Sequence, residues 1–349
     1  TDDTGGKDRV MTQPQAYAVT EGDGLPVVFV HGMGVDHRSL MLLDEAFLCP
    51  ESGAAASRSL KRIYLDLPGF GRTPALPARA CGLPEMADWL QSAIDDLVGA
   101  GEPFALVGNS MGGALAREMV ARESSRVRGL ALIAPVVDPR RTRRHVAEHV
   151  ITEPNPTLIH ALPQDQTFDF VTMGVNQSFA AWRRYQSYIL PGIRLCDRDA
   201  CARLDARYWL NDDPERVFGT YAGPTLFVTG RRDQIVGFED QRALLSHYPD
   251  ATFVTLDDAG HNAYSFVRAD RDGELIACIT NFSPDPYPHY PISVPKAGTW
   301  QEILNTDSPE FNGGGMFDNS EPIVATEISS DEDSWAWATI SLPPMSAIW

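Results

Sequence analysis

The chain has 349 residues, 43% of them hydrophobic and 22% charged, which is typical of a soluble globular protein. Its net charge of −18 at pH 7 argues against nucleic acid and against an anionic membrane surface as partners. Five scattered cysteines without a C-x-x-C pair, and no apolar run of about 18 residues, favour a cytoplasmic protein that does not span a membrane. We expect residues 1–14 to be a disordered extension, followed by a large α/β domain and a smaller second domain.

Apolar strands and helical stretches alternate from residue 27 to residue 137. The sequence predicts strands at 27–30 and 63–65, each ending in a glycine-rich loop, and a short strand candidate before them at 17–20. Residues 84–98 carry apolar side chains at helical spacing, with a proline in the first turn, which indicates a surface helix. Such alternation indicates right-handed crossovers and a mostly parallel sheet, with ligands bound at the carboxyl edge of its strands.

The most informative stretch lies where a predicted strand at 104–107 turns into a helix that begins near residue 114. A serine, Ser110, stands in that turn between Gly108 and Gly112. Glycines are needed beside the serine because side chains at those positions would clash in so tight a turn. The turn holds the backbone of the serine in a strained conformation that leaves its hydroxyl group free. This is the strand-to-helix context that a G-x-S-x-G match requires. A bare match should occur by chance in about one in ten chains of this length, so other residues must support it.

Residues 138–221 interrupt the alternation with a long segment that has helical stretches and no clear strand. We interpret it as an inserted helical cap. Its basic run at 140–144 is interpreted mainly as a solvated face, with a carboxylate-binding patch as the alternative. Its aromatic residues Trp182, Tyr185 and Tyr188 fit either the core or the wall of a substrate pocket.

Alternation resumes after this segment, and two further strands lead to candidate catalytic residues. One delivers Asp233 two residues beyond a glycine turn, and the other, after a helical stretch at 238–248, ends just before His261. Loops at one edge of a parallel sheet converge in space, so Ser110, Asp233 and His261 can meet there.

Five motifs follow one another between residues 15 and 263: His31-Gly32-Met33-Gly34, Asp66-Leu67-Pro68-Gly69-Phe70-Gly71, Gly108-Asn109-Ser110-Met111-Gly112, Gly230-Arg231-Arg232-Asp233 and Gly260-His261. Through these motifs, residues 15–263 resemble the α/β-hydrolase fold superfamily of the serine hydrolase type. The resemblance implies a mostly parallel sheet flanked by helices.

The resemblance implies a catalytic triad. Ser110 would be the nucleophile, His261 the general base and then the general acid, and Asp233 the carboxylate that fixes the imidazole tautomer. The chemistry also has a reason of its own: a serine hydroxyl is a poor nucleophile at neutral pH, and histidine is the base whose pKa lies near that pH. A serine at the elbow, rather than the aspartate of dehalogenases of this fold, points to acyl transfer through a covalent ester.

The resemblance also implies an oxyanion hole. The backbone N–H groups of Met33 and Met111 would form it, with Gly32 in the preceding loop and Gly108 and Gly112 in the elbow. Met111 would start a helix, where its N–H is free and the helix dipole favours an anion.

Several residues in or near these motifs have other interpretations. We interpret His31 as a structural loop histidine. Asp257 and Asp258 are alternatives to Asp233, but their closeness in sequence to His261 favours turn or surface roles. His37 and Arg38 fit either the pocket or the cap of the following helix. The remaining histidines show no ligand spacing, so we expect neither a metal nor a cofactor.

Residues 264–349 differ in kind from the rest, with thirteen acidic and three basic residues in short β-rich runs separated by prolines and glycines. This pattern predicts a small antiparallel β-sandwich in place of the final helix that hydrolases of this fold normally pack on the sheet. Losing that helix would uncover apolar sheet surface.

Five stretches of this segment are informative: Ser265-Phe266-Val267-Arg268, Asn281-Phe282-Ser283-Pro284, Val294-Pro295-Lys296-Ala297-Gly298, Glu302-Ile303-Leu304-Asn305-Thr306-Asp307 and Ser341-Leu342-Pro343-Pro344-Met345. Through them the segment resembles the C-terminal all-β domain of bacterial 1,4-α-glucan branching enzymes, although the (β/α)8 barrel of those enzymes has no counterpart in residues 1–263.

The sequence therefore favours a carboxylesterase-like serine hydrolase that cleaves a small ester, lactone or amide through an acyl-enzyme, with a small acyl compound as its partner. One alternative is a non-catalytic glucan-associated module or remnant of a branching enzyme that binds an α-glucan through residues 264–349. Another is an inert fusion of the two.

Overall fold

The computed structural model describes residues 13–44, 60–258, 263–269, 275–327 and 336–349. Residues 1–12 of the predicted extension and the candidate base His261 lie outside these ranges, so both remain predictions. Within the described residues, no helix has the length and apolar character needed to cross a membrane.

The first half of the fold follows the predicted alternation. Its helix α2 buries Met86, Trp89 and Ile94, the side chains whose spacing predicted it. The elements in order are β1 (Ala18–Glu21), β2 (Leu25–Val30), α1 (Arg38–Met41), β3 (Leu60–Leu65), α2 (Leu83–Val98), β4 (Phe104–Asn109), α3 (Met111–Glu123) and β5 (Val127–Ile133).

The segment between β5 and the next strand is mainly helical, as predicted. It has an aromatic cluster of its own, in which the Trp182 ring stacks on Tyr185 and meets Phe170 edge to face. Its elements are α4 (Pro156–Ala161), α5 (Gln164–Met173), α6 (Phe179–Arg184), a π-helical turn (Tyr185–Ile189), α7 (Leu190–Leu195), α8 (Arg198–Asp205) and α9 (Pro214–Phe218).

Beyond that segment two strands complete the parallel part of the sheet, and further strands follow. Among the described residues after Asp258 the only helical turn is a 3-10 turn at Pro309–Phe311. The elements are β6 (Thr225–Gly230), α10 (Phe238–Arg242), a 3-10 turn (Ala243–His247), β7 (Ala251–Asp258), β8 (Ala263–Ala269), β9 (Leu275–Asn281), β10 (Tyr287–Val294), β11 (Gly298–Trp300), β12 (Ile323–Glu327), β13 (Ala336–Leu342) and β14 (Ser346–Ile348).

Ten strands form one continuous sheet in the order β1-β3-β2-β4-β5-β6-β7-β8-β9-β14. Six neighbouring strands of this sheet pair in parallel, namely β3, β2, β4, β5, β6 and β7. The other four, β1, β8, β9 and β14, pair antiparallel to their neighbours. The register places Val30 opposite Gly108, Asn109 opposite Ile133 and Gly230 opposite Leu256, so the carboxyl ends of the parallel strands lie level at one edge. That edge carries the candidate functional loops.

The remaining strands form a second sheet, in the order β10-β13-β12-β11, which packs on the end of the first. The apolar core between the two sheets combines Ile279 and Ile348 of the large sheet with Ile292, Ala336 and Ile340 of the small one. The predicted antiparallel sandwich is therefore present, and one of its two sheets is the continuation of the parallel sheet through β8.

Candidate active site

Ser110 stands in a strained backbone conformation between the end of β4 and the start of α3, with φ 52° and ψ −114°. A positive φ is uncommon for a residue other than glycine and costs free energy that the surroundings must supply. Here the Ser110 N–H donates to the carbonyl of Ile133 at 3.0 Å, and the Ser110 carbonyl accepts from the N–H of Val136 at 2.9 Å. The last residue of β5 and the loop after it therefore hold the turn from both sides.

The glycines around Ser110 leave no room for side chains. A Cβ on Gly112 would overlap the carbonyl of Val30, and a Cβ on Gly108 would lie 2.5 Å from the carbonyl oxygen of Gly112. Gly113 meets the same constraint, because its Cβ would lie 2.6 Å from that of Pro135. The close approach predicted from the sequence is thus present at the elbow.

The loop after β2 runs beside the serine. A Cβ built on Gly32 would lie 3.2 Å from the Cβ of Ser110, which puts the backbone of this loop in contact with the elbow. Met33 follows directly, and Met111 is the buried first residue of α3. The first N–H groups of a helix have no partner within the helix, so they are available to an anion.

His31 has a structural role, as its position suggested. The ring is fully buried, its Nδ1 lies 2.7 Å from the carbonyl oxygen of Gly32, and its Nε2 accepts from the N–H of Leu67 at 3.0 Å. Burial lowers the pKa of His31, which favours the neutral ring with its proton on Nδ1. The histidine therefore ties the loop after β2 to the loop after β3.

Asp233 occupies the turn after β6. Its Oδ1 accepts from the N–H groups of Ile235 and Val236 at 2.8 and 2.9 Å, whereas its Oδ2 lies 3.4 Å from Nε2 of Gln241. One oxygen thus fixes the turn, and the other has capacity for a stronger donor. Its role as partner of His261 stays a prediction, because residues 259–262 are not described.

A buried network, which the sequence did not predict, joins the loops after β2 and β3. His37 donates its backbone N–H to Asp66 Oδ1 at 2.9 Å, and its Nδ1 lies 2.7 Å from the same oxygen. The Arg38 guanidinium pairs with buried Asp36, and the N–H of Arg72 donates to Asp66 Oδ2 at 2.9 Å. His37 therefore binds a carboxylate, and its side chain makes no capping bond to α1.

Asp36, His37 and Asp66 bring potential ligand atoms within 4.8 Å of one another, which raises the question of a metal ion. Both carboxylates already accept protein donors, so the contacts satisfy the network internally. Burial opposes the charge on Asp66, yet the donors from His37 and Arg72 outweigh it and lower the pKa of that carboxyl. These residues fit a structural tie between two loops better than a metal site.

A cavity of about 700 Å³ opens between the helical segment and the loop after β2. That volume is in the range of small-molecule sites. Tyr185 belongs to its wall as well as to the aromatic cluster, whereas Trp182 is core alone. Met33 lines the cavity, whereas Ser110 does not. Among the described residues, Gly32 lies beside Ser110 and its neighbour Met33 forms part of the cavity wall. Most of the lining is apolar: Met33, Val35, Phe168, Phe170, Met173, Tyr185, Ile189 and Ile193.

The basic run at 140–144 is largely satisfied by neighbours. Arg140 pairs with Asp138, Arg141 with Asp205 at 2.9 Å, and Arg144 donates to the carbonyls of Asp138 and Ile235. Arg140 and Arg141 are exposed, which fits the solvated-face interpretation.

With the geometry established, comparisons with known proteins identify the family. A family model described as the alpha/beta hydrolase family matches residues 27–277. The chain belongs to the alpha/beta hydrolase family. An alpha/beta superfamily hydrolase from Oenococcus oeni is similar in structure, with a TM-score of 0.60 and 28% identity over 69% of this chain and 86% of that one. An esterase from Exiguobacterium antarcticum shares the fold, with a TM-score of 0.50 and 19% identity over 70% of this chain and 87% of its own.

The last part of the chain matches a second family. A model described as the alpha amylase C-terminal all-beta domain matches residues 253–349. Over 97 residues the chain is 46% identical to the 1,4-alpha-glucan branching enzyme of Cutibacterium acnes, which covers 28% of this chain and 15% of that enzyme. The chain thus spans about 15% of the length of the curated relatives that it matches. Both resemblances inferred from the sequence are confirmed, and the two matches overlap at 253–277.

Proposed function

We propose that this alpha/beta hydrolase is a serine hydrolase that acts through an acyl-enzyme, with Ser110 as nucleophile, His261 as base and Asp233 as its carboxylate partner. The observation that supports this best is the backbone of Ser110. A non-glycine residue with φ 52°, between glycines that admit no side chain, serves no packing purpose evident in the fold. Strain of this kind typically occurs where a side chain must be presented for chemistry.

The reaction follows from these assignments. Ser110 Oγ attacks the carbonyl carbon of the substrate while its proton passes to His261. The negative charge that develops on the carbonyl oxygen meets the N–H groups of Met33 and Met111, each donor being worth about 2.7 to 4 kcal/mol in such sites. His261 then gives the proton to the leaving oxygen or nitrogen, and a water molecule hydrolyses the acyl-enzyme by the same steps.

The cavity beside Met33 supports an apolar acyl group as the substrate class. A series of p-nitrophenyl esters from acetate to hexanoate tests this directly. If the added methylenes are buried in the cavity, kcat/KM should rise by about fourfold for each. A flat series would place the acyl group elsewhere.

The nucleophile is tested with a fluorophosphonate probe. We expect one equivalent to attach to the wild-type protein at Ser110 and none to the Ser110→Ala variant, with the adduct located by peptide mass spectrometry. Folded wild-type protein that stays unlabelled would overturn the proposal and favour the inert-fusion alternative.

A second candidate function is contact with an α-glucan through residues 264–349. It is favoured by the 46% identity to the corresponding part of a branching enzyme. Retention of the whole chain on immobilised glycogen, released by soluble glycogen, is the expected result. If the chain is retained no longer on immobilised glycogen than on the same matrix without glycan, this candidate is removed.

A further inference from the structure

We propose that Trp337, on strand β13 of the C-terminal sandwich, is a positioning residue that holds the turn carrying Asp233. The inference rests on the proposed function in taking Asp233 as the triad acid. It assigns to the C-terminal segment a task in the hydrolase site.

The contact is a stack of three groups. The Cζ atom of Arg231 lies 5.0 Å from the centroid of the Trp337 ring and 5.2 Å from that of Phe238. Both distances are within the range of about 6 Å in which a guanidinium is attracted to an aromatic face. Arg231 therefore contacts both a ring of its own domain and a ring of the sandwich.

The residues of this stack lie on both sides of Asp233 in the chain, so the stack can fix the position of Asp233. Arg231 precedes the acid by two residues and Phe238 follows it as the first residue of α10, so the stack joins the two ends of the turn. The Arg231 N–H also donates to the carbonyl of Leu256 at 3.1 Å, which ties the turn to β7. The Asp233 Oδ1 bonds to Ile235 and Val236 lie inside the segment that the stack encloses.

The side chain of Trp337 does not belong to the apolar core of the sandwich. Ala336, Ala338 and Ile340 face the apolar core of the sandwich, so the alternation of a strand turns Trp337 to the opposite face. Strand β13 pairs with β10 on one side and β12 on the other, with Trp337 opposite Ser293 and Thr326. The ring thus projects from an interior strand of the sheet.

The test compares Trp337→Ala with Trp349→Ala. The two tryptophans have nearly equal exposure, 38% and 39%, but the Trp349 ring packs against Phe266. For Trp337→Ala we expect kcat for an ester substrate to fall by about threefold to thirtyfold with KM little changed, and for Trp349→Ala less than twofold in either. Trp337→Phe keeps an aromatic face and should recover most of the lost kcat.

Amide hydrogen exchange provides a readout that does not depend on activity. In Trp337→Ala the amides of Ile235 and Val236 should exchange faster than in wild type, and in Trp349→Ala they should not. A double-mutant cycle with Arg231→Ala should show that the two changes are not additive.

The outcomes separate this inference from the proposed function. Wild-type protein that a fluorophosphonate does not label would defeat the proposed function, and the exchange comparison would still decide whether Trp337 holds the turn. Equal exchange at Ile235 and Val236 in the two tryptophan variants, or additive effects in the cycle, would overturn the positioning role even in an active enzyme.

Discussion

Ser110 pays a conformational cost that a glycine would not. Strain at a positive φ is worth on the order of 1–3 kcal/mol. We therefore expect the free energy of unfolding of Ser110→Gly to exceed that of Ser110→Ala by about 1 kcal/mol, because alanine keeps the strain and glycine removes most of it. Urea denaturation should show this as a higher midpoint for Ser110→Gly. Both variants should lose fluorophosphonate labelling. A Ser110→Ala protein as stable as Ser110→Gly would mean that the turn relaxes without glycine.

The identity of the candidate residues was accessible from the sequence, but the contacts that hold them were not. Ser110 and Asp233 could be proposed because each follows a recognisable strand and stands in a turn that contains glycine. The sequence drew attention to both His37 and Asp66, but their bond joins loops 29 positions apart, and no local pattern indicates that these two side chains pair. The stack of Arg231 on Trp337 joins residues more than one hundred positions apart, so it depends wholly on the tertiary fold.

At the scale of elements, the elbow works because three backbone segments approach closely. A Cβ on Gly112 would collide with the carbonyl of Val30 at the end of β2, and backbone there cannot move without breaking the sheet. We expect Gly112→Ala to be produced mainly as insoluble protein or to lose more than about 3 kcal/mol of stability.

Gly230 offers a matched control for that substitution. It ends β6 at the same edge of the sheet, its φ is not in the left-handed region, and a Cβ there would meet no atom of the described residues within 4 Å. Gly230→Ala should therefore stay within about 0.5 kcal/mol of wild type in urea denaturation. Equal losses in the two variants would mean that close approach does not set the cost.

Helix α3 is fixed to α9 by a buried ion pair. Arg117 forms two hydrogen bonds to the carboxylate of Glu215, and Tyr248 donates to the same carboxylate at 2.7 Å. Burial alone would raise the pKa of Glu215, but the charge of Arg117 outweighs it and lowers the pKa to about 2. Glu215→Gln should cost about 3–5 kcal/mol, because it removes the buried counter-charge of Arg117 and leaves only the exposed carboxylate of Asp213, 4.0 Å away.

The same pair predicts a dependence on pH with a definite sign. Since the pKa of Glu215 is lower in the folded state than its ordinary value of 4.5, its stabilisation is present above pH 4.5 and is lost as pH falls towards about 2. Glu215→Gln should remove part of this slope in urea denaturation. Arg122→Ala, at partly exposed pairs with Glu118 on the same helix and with Asp88 on α2, should cost less than about 1 kcal/mol.

At the scale of the whole molecule, the two family matches share one sheet. Strand β8 pairs with β7 along its length, with Val254 opposite Phe266 and Leu256 opposite Tyr264. The sequence predicted both sheets but not their continuity, because each segment carries its own hydrophobic pattern and nothing local specifies which edge strands will pair. The edge of β7 is occupied by β8, the first strand of the segment that the sequence predicted in place of the final helix of other hydrolases.

Continuity of the sheet predicts a single cooperative unfolding transition. Ile340 is 3% exposed in the core of the sandwich, far in sequence from Ser110, and Ile340→Ala should cost about 2–5 kcal/mol. If the sheet unfolds as one unit, this change lowers the midpoint of the whole transition, and amides of the elbow lose protection together with those of β13. Val324→Ala, at a position 68% exposed on the same small sheet, should leave the midpoint nearly unchanged. Two separate transitions, of which Ile340→Ala shifts only one, would mean that β7 and β8 can part and that the two halves fold independently.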